Sequence, residues 1–373
     1  MEEEMKKGIQ QIRKLDTKEH QSTRRLYEEI FPEDSKSFVD YYYHYKIKEN
    51  QIYITTVKEE MVAMLHLNPY LIKLGAGISR GHYIVAVATK EEYRHQGIMS
   101  NLIKRVLADG YRAEEPFTFL MPVAEAIYLP FDFRFIYEQP QWEIQGKEQR
   151  LDFECTPVSE DELELLSVWA NQMLDDKYRT YAIHSKEYFE NLIAEQAHQA
   201  GQVVVIKQNG SICGYFYTTT ETGAEVREAV IERAYKESLE DLIADYLKGH
   251  EKIKVYGGML FRAENKKKPQ IMARIIHLER LIQTLTAQIP VCFNMEVIDT
   301  LIWQNNGIFR VQIDENGGKL QADESAKWTV SIAELTQLVF GMISIEETAA
   351  PKEIKEVWQQ IQDLAPVMLN EVV

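Results

Sequence analysis

The sequence predicts a mixed α/β chain of two or three domains, and three observations carry that expectation. The first is size: 373 residues exceed one core's usual share of roughly 150. The second is residues 84–99, IVAVATKEEYRHQGIM, where a β-branched run meets a polar turn and then an apolar pattern of helical period. The third is repetition, because the strand-and-helix order of the first 148 residues recurs between about 151 and 262.

Taken in order, residues 9–15 read as extended, 20–30 and 35–46 as helical, and 51–57, 61–73 and 81–88 as strands. After Gly97, Met99, Leu102, Ile103, Val106 and Leu107 recur at i, i+3, i+4, i+7 and i+8, with Gly110 placed to cap the helix. A strand at 117–121, a short element at 124–128 and extended pieces through Trp142 complete this region. The next region reads as extended 151–154, helices 161–174 and 186–197, strands 202–208, 211–219 and 226–233, helix 239–248 and strand 252–256. Lys266-Lys267-Lys268 before Pro269 reads as an exposed linker.

The remainder reads as helix 278–286 and strands 291–297, 308–313 and 328–330. Turns are expected at Asn305-Asn306-Gly307 and Asn316-Gly317-Gly318. Ser331 and Glu334 have capping-box spacing. A last helix should bury Ile354, Val357, Trp358, Ile361 and Leu364 on one face. The boundaries implied are 1–148, 149–268 and 269–373.

Composition excludes several classes. At 45% apolar and 27% charged residues, the chain is that of a globular protein without a large disordered part. The opening Met-Glu-Glu-Glu-Met-Lys-Lys lacks the order of a secretion signal, and no apolar run approaches membrane-spanning length. Cys155, Cys213 and Cys292 are isolated and read as reduced thiols, not a disulfide frame or zinc site. A cytoplasmic protein without a metal is therefore expected. Net charge −16 argues against nucleic acid, whose phosphates would be repelled; it serves solubility and is compatible with cationic substrates.

The strand–loop–helix around Gly97 is the chemical feature. Free amides at a helix N-terminus and the positive end of its dipole form an anion site. Arg94 adds charge, and Gly97 admits a phosphate without a Cβ in its way. There is neither a Gly-x-Gly-x-x-Gly dinucleotide fingerprint nor a P-loop. Arg94-x-x-Gly97-x-Met99 instead resembles the acyl-CoA loop of GCN5-related N-acetyltransferases, Gln/Arg-x-x-Gly-x-Gly/Ala, with Met99 in place of the last small residue.

Two segments extend the resemblance: residues 88–99, and residues 119–131, FLMPVAEAIYLPF. With the region order they resemble the enhanced intracellular survival (Eis) family of acetyltransferases over essentially the whole chain. The resemblance implies two tandem acetyltransferase folds and a sterol-carrier-like α+β domain. The second copy has no Arg/Gln-x-x-Gly before its helix and is expected to be degenerate. The resemblance also implies acetyl-CoA as cosubstrate, an amine as acceptor (aminoglycoside-, polyamine- or lysine-like), direct transfer in a ternary complex, and a homohexamer. By residue, pantetheine contacts fall on Val87 and Thr89, and the pyrophosphate on Arg94, His95, Gly97, Ile98 and Met99. Tyr128 is the general acid, with Tyr137 its rival. The general base is the terminal carboxylate of Val373, with Glu125 as the fallback. The amine pocket is expected to draw on the first two helices, where Tyr27, Phe31, Phe38, Tyr41, Tyr42, Tyr43 and Tyr45 cluster, although such a stripe is more often core. The competing expectation is a CoA- or lipid-binding protein without catalysis.

Overall fold

The computed structural model describes residues 10–257 and 266–371. The first region supplies β1 (Gln11–Lys14), β2 (Gln51–Val57), β3 (Glu60–Leu74), β4 (Gly77–Thr89), β5 (Phe117–Leu120) and β6 (Arg134–Ile144). Helices Arg24–Ile30 and Lys36–His44 pack on one face, and helix Ile98–Arg112 covers the other. Strands β1 to β4 are antiparallel neighbours, whereas β4 and β5 run parallel. The apolar stripe on Ile98–Arg112 buries Ile98, Leu102, Ile103, Val106 and Leu107 against that sheet. This is the periodicity expected of an amphipathic helix on a core. Gly110 does not end it. The helix runs on to Arg112, and a Cβ on Gly110 would lie 3.0 Å from the Ile276 side chain. The glycine serves close helix–sheet approach rather than capping.

The second region repeats the plan with β7 (Glu154–Pro157), β8 (Thr180–Ala182), β9 (Gln202–Gln208), β10 (Ser211–Thr219), β11 (Ala224–Ile231) and β12 (Ile253–Tyr256). Its antiparallel ladder β7-β9-β10-β11 also ends in a parallel step, β11 to β12. The extended segment expected at 151–154 begins only at Glu154, where β9 offers a partner.

Strand β13 (Lys266–Ile275) follows in the chain but returns to the first region. It lies antiparallel between β5 and β6. The three lysines expected to form a linker are its first residues, paired with Gln139, Pro140 and Gln141 of β6 and exposed at their side chains. Charge made the segment look unpaired, yet a strand needs only its backbone to pair. The other half of β6 pairs with β12, so one sheet runs through both regions in the order β1-β2-β3-β4-β5-β13-β6-β12-β11-β10-β9-β7.

The last region contains β14 (Thr286–Ala287), β15 (Val291–Ile298), β16 (Gly307–Asp314), β17 (Gly317–Ala322), β18 (Thr329–Ser331), β19 (Ile361–Gln362) and β20 (Val367–Met368). Four of these form the sheet β17-β16-β15-β18. Ser331 caps helix Ile332–Val339 by accepting from the Glu334 amide at 3.1 Å. The final helix is Lys352–Trp358 and stops short of Ile361 and Leu364. Ile361 pairs with Ala287 instead, and Leu364 is fully buried beyond the helix. The chain then turns back: β20 pairs in parallel with β8, and β8 pairs with β3. Residues 369–371 are thereby drawn between the first two regions.

Candidate active site

Two local features open the sheet at the end of β4. Pairing of β4 with β5 is confined to His82 and Tyr83, so residues 84–89 have no sheet partner on that side among the described residues. Opposite, the register with β3 slips between Met64 and His66, leaving one extra residue on β4. Ala86 carries a φ of +50°, unusual for a residue with a Cβ. Ile84 and Val87, three apart, consequently pack into the same cluster, where an unbroken strand would alternate. The bulge turns free backbone groups toward the gap, where an extended amide-containing chain can pair as an added strand. Val87 and Thr89 lie on this stretch, both half-buried.

The loop beyond has the geometry expected of an anion cradle. His95 and Gly97 are left-handed, with φ of +61° and +77°. Gly97 is the N-cap of helix Ile98–Arg112, and the first helical bond runs from the Asn101 amide to the Gly97 carbonyl at 3.0 Å. The Ile98, Met99 and Ser100 amides therefore precede any acceptor within the helix. Arg94, His95, Gln96 and Gly97 are all exposed, and a Cβ built on Gly97 meets nothing within 4 Å. Arg94 Nε donates to the Thr89 carbonyl at 3.2 Å, which ties the guanidinium back to the end of β4. Ile98 and Met99 turn their side chains into the core and offer only backbone. This accounts for methionine at position 99. These residues fit a pyrophosphate. Gly97→Ala adds strain at a positive φ of about 1 kcal/mol and puts a methyl group in the cradle. The expected result is a rise in KM for acetyl-CoA of about tenfold or more, with a loss of only a few degrees in thermal midpoint, checked by steady-state kinetics and calorimetry.

Tyr128 ends the short helix Glu125–Tyr128. It is buried among the residues covering helix Ile98–Arg112, its ring edge-on to Phe133 at 6.0 Å. Burial pushes its phenol up to about 12. Tyr137 lies on β6 in a different cluster, and its phenol is raised by burial and by Tyr178 and Glu228. The structure therefore separates the two candidate acids. Glu125 is exposed. Val373 lies outside the described residues.

Arg274 fixes the Tyr128 segment from below. This fully buried residue of β13 donates through Nε to the Phe131 carbonyl at 2.8 Å and through Nη2 to Asp299 at 2.6 Å. Asp299 also accepts from the Leu301 and Ile302 amides, each at 2.9 Å. The last region is thereby bonded to the chain three residues beyond Tyr128.

Sequence reasoning did not find the cavity of about 300 Å³ between the first two regions. Tyr41, Lys46, Tyr70 and Arg80 line it from the first region, and Tyr188, Glu195 and Arg227 from the second. Glu371 enters it from the tail. Of the aromatic cluster expected near the amine, only Tyr41 lines this cavity; most of the others are core. Lys46 is buried with its Nζ 4.7 Å from the centre of the Tyr70 ring, and burial lowers its pKa. Local pattern held no sign of these residues, because three separate regions bring them together. The degenerate copy is thus one wall of a cavity.

Comparison with known proteins agrees with this geometry. Residues 11–136 match the acetyltransferase (GNAT) domain family, and residues 278–371 match the sterol carrier protein domain family. The chain is an acyltransferase carrying a GNAT domain at its start and a sterol-carrier domain at its end. Over its whole length its fold is similar to that of Eis1 from Mycobacterium abscessus, with a TM-score of 0.68, 13% identity and coverage of 96% of this chain and 94% of that one. A GCN5-related N-acetyltransferase from Anabaena variabilis ATCC 29413 superimposes with a TM-score of 0.81 at 15% identity, covering 98% and 100%. One from Kribbella flavida gives 0.79 at 13%, covering 98% and 99%. Identities this low establish the shared fold. No curated protein sequence matches the chain significantly. No helix among the described residues is long and apolar enough to cross a membrane.

Proposed function

We propose that the chain moves an acetyl group from acetyl-CoA to a primary amine by direct transfer in a ternary complex. The observation that carries this reading is the bulged end of β4, parted from β5, leading into an open helix N-terminus at Gly97. The open strand edge at Val87 and Thr89 holds the pantetheine arm through backbone bonds. Arg94, His95 and the amides of Gly97, Ile98 and Met99 hold the pyrophosphate. A thioester fixed this way lies near Tyr128, and orientation of donor and acceptor supplies much of the rate.

The ammonium first gives a proton to a carboxylate delivered by the C-terminal segment, the group that the resemblance assigns to Val373. The amine lone pair then attacks the thioester carbonyl carbon. As the C–N bond forms and the C–S bond breaks, the Tyr128 phenol gives its proton to the departing thiolate, and the nitrogen's second proton restores the phenol. The acceptor we propose is a small polyamine- or aminoglycoside-like amine or a protein lysine, entering through the cavity, whose wall includes Glu195 and Glu371. We further propose the domain boundaries 1–148, 149–268 and 269–373, a cytoplasmic location and a homohexamer, the last testable by sedimentation.

The direct test is thiol release from acetyl-CoA against a panel of primary amines, with the acetylated amine identified by mass. Release requiring both substrates is the expected result. Calorimetric CoA binding with no turnover on any amine would favour the non-catalytic binding role instead.

A further inference from the structure

We infer that the side-chain carboxylate of Glu371, set in the wall of the cavity between the first two regions, takes the proton from the attacking amine. This rests on the acetyl-transfer reading above and specifies its base. The tail is not loosely laid there. Pairing of β20 with β8 fixes its direction, Leu369 is fully buried, and Asn370 accepts from the Gln139 side chain and donates to the Arg227 carbonyl. One residue later the Glu371 side chain lines the cavity while the residue keeps only 7% exposure. Its carboxylate accepts from the Tyr188 hydroxyl at 3.3 Å. Tyr83, whose phenol is bonded to the Met121 backbone at the end of β5, feels both Glu371 and Tyr128. Both the proposed base and the proposed acid are thus near enough to one buried phenol to raise its pKa.

Among the described residues no cation stands within ion-pair distance of Glu371. His184 Nδ1 lies 2.7 Å from the Ala182 carbonyl, and its Nε2 lies 2.9 Å from the Glu228 carboxylate. Burial opposes a charge on the ring, but Glu228 outweighs it and the pKa is raised. His184 is thereby engaged with Glu228 rather than with Glu371. From the first region Lys46 faces the tail, and from the second, Glu195, itself pushed up to about 7 by burial. Arg80, Arg227, Glu49 and Glu187 complete the charged lining. The phenols of Tyr70, Tyr188, Tyr215 and Tyr217 are raised by burial and stay neutral. Burial, with Glu228 adding to it against His184, Lys46 and the Tyr188 hydrogen bond, sets Glu371 at about 7. A base with a pKa near working pH combines availability with proton affinity.

The test is the pH dependence of kcat for wild type, Glu371→Gln and Glu371→Asp, using two amines of different pKa. Wild-type kcat should fall below about pH 7 with either amine. Glu371→Gln should lose roughly 10²-fold or more and lose that acid limb, and Glu371→Asp should recover part of the rate with the limb. Folding is read separately. The wild-type thermal midpoint should drop as pH rises from about 4.5 through about 7, because a carboxyl raised in the folded state stabilises only while protonated. Glu371→Gln should lessen that drop, and CoA titration should show its donor site intact. A Glu371→Gln enzyme with unchanged rate and limb overturns the inference, as does one that stays active while a single residue appended after Val373 abolishes turnover. Wild-type protein releasing no thiol with any amine overturns the transfer reading, and the inference with it.

Discussion

Tyr128→Phe is expected to lower kcat by roughly 10²- to 10⁴-fold, the usual worth of a positioned general acid. KM for acetyl-CoA should change little, since the cradle around Gly97 is built from other residues. The thermal midpoint should also hold, because the substitution removes only a hydroxyl and keeps the ring that packs edge-on to Phe133. Burial keeps the proton on this phenol across the working pH range. The same burial raises the basicity of any thiolate formed beside it, so both partners in the transfer shift in one direction. Initial rates of thiol release check the prediction. A phenylalanine variant within twofold of wild type removes Tyr128 from the role.

Asp299→Ala should be the most destabilising single change, by about 3–5 kcal/mol. It leaves the Arg274 guanidinium, like Asp299 0% exposed at its side chain, with only the more distant Asp132 carboxylate at 3.8 Å. It also strips acceptors from the Leu301 and Ile302 amides. Replacing the pair together, Arg274→Met with Asp299→Leu, should recover a large part of that loss, because neither charge is then buried alone. Urea unfolding of the single and double variants checks this. Activity should fall in the double variant even where stability returns, as the Phe131 carbonyl that anchors the Tyr128 segment loses its donor. A single variant as stable as wild type would contradict the account.

Much of the fold was legible because its signals are local. The β-branched run before Arg94, the helical period after Gly97 and the Ser331–Glu334 capping box each name an element without tertiary information. The structure has each element, with the strand beginning four residues earlier and Ser331 capping its helix through the Glu334 amide alone. The errors lie where a distant partner decides. Gly110 resembled a cap until Ile276 claimed the space beside it, and Ile361 kept helical spacing but was taken by Ala287. The lysines 266–268 carried no alternation, so only their pairing with β6 reveals a strand. For the candidate site, the strand, loop and helix around Gly97 were readable because one contiguous segment forms them. Lys46, Tyr188, Glu195 and Glu371 were not, because they meet only after three regions have docked.

The position of β13 has a consequence for how this protein is made. A ribosome that has released the first 148 residues has produced β5 and β6, but not the strand that joins them, which is complete only at Ile275. Until then β5 leaves one sheet edge open and β6 has no neighbour on that side, the condition under which chains stick to one another. The acetyltransferase portion expressed alone is therefore expected to precipitate or need a chaperone, whereas a fragment reaching past residue 275 restores the missing pairing.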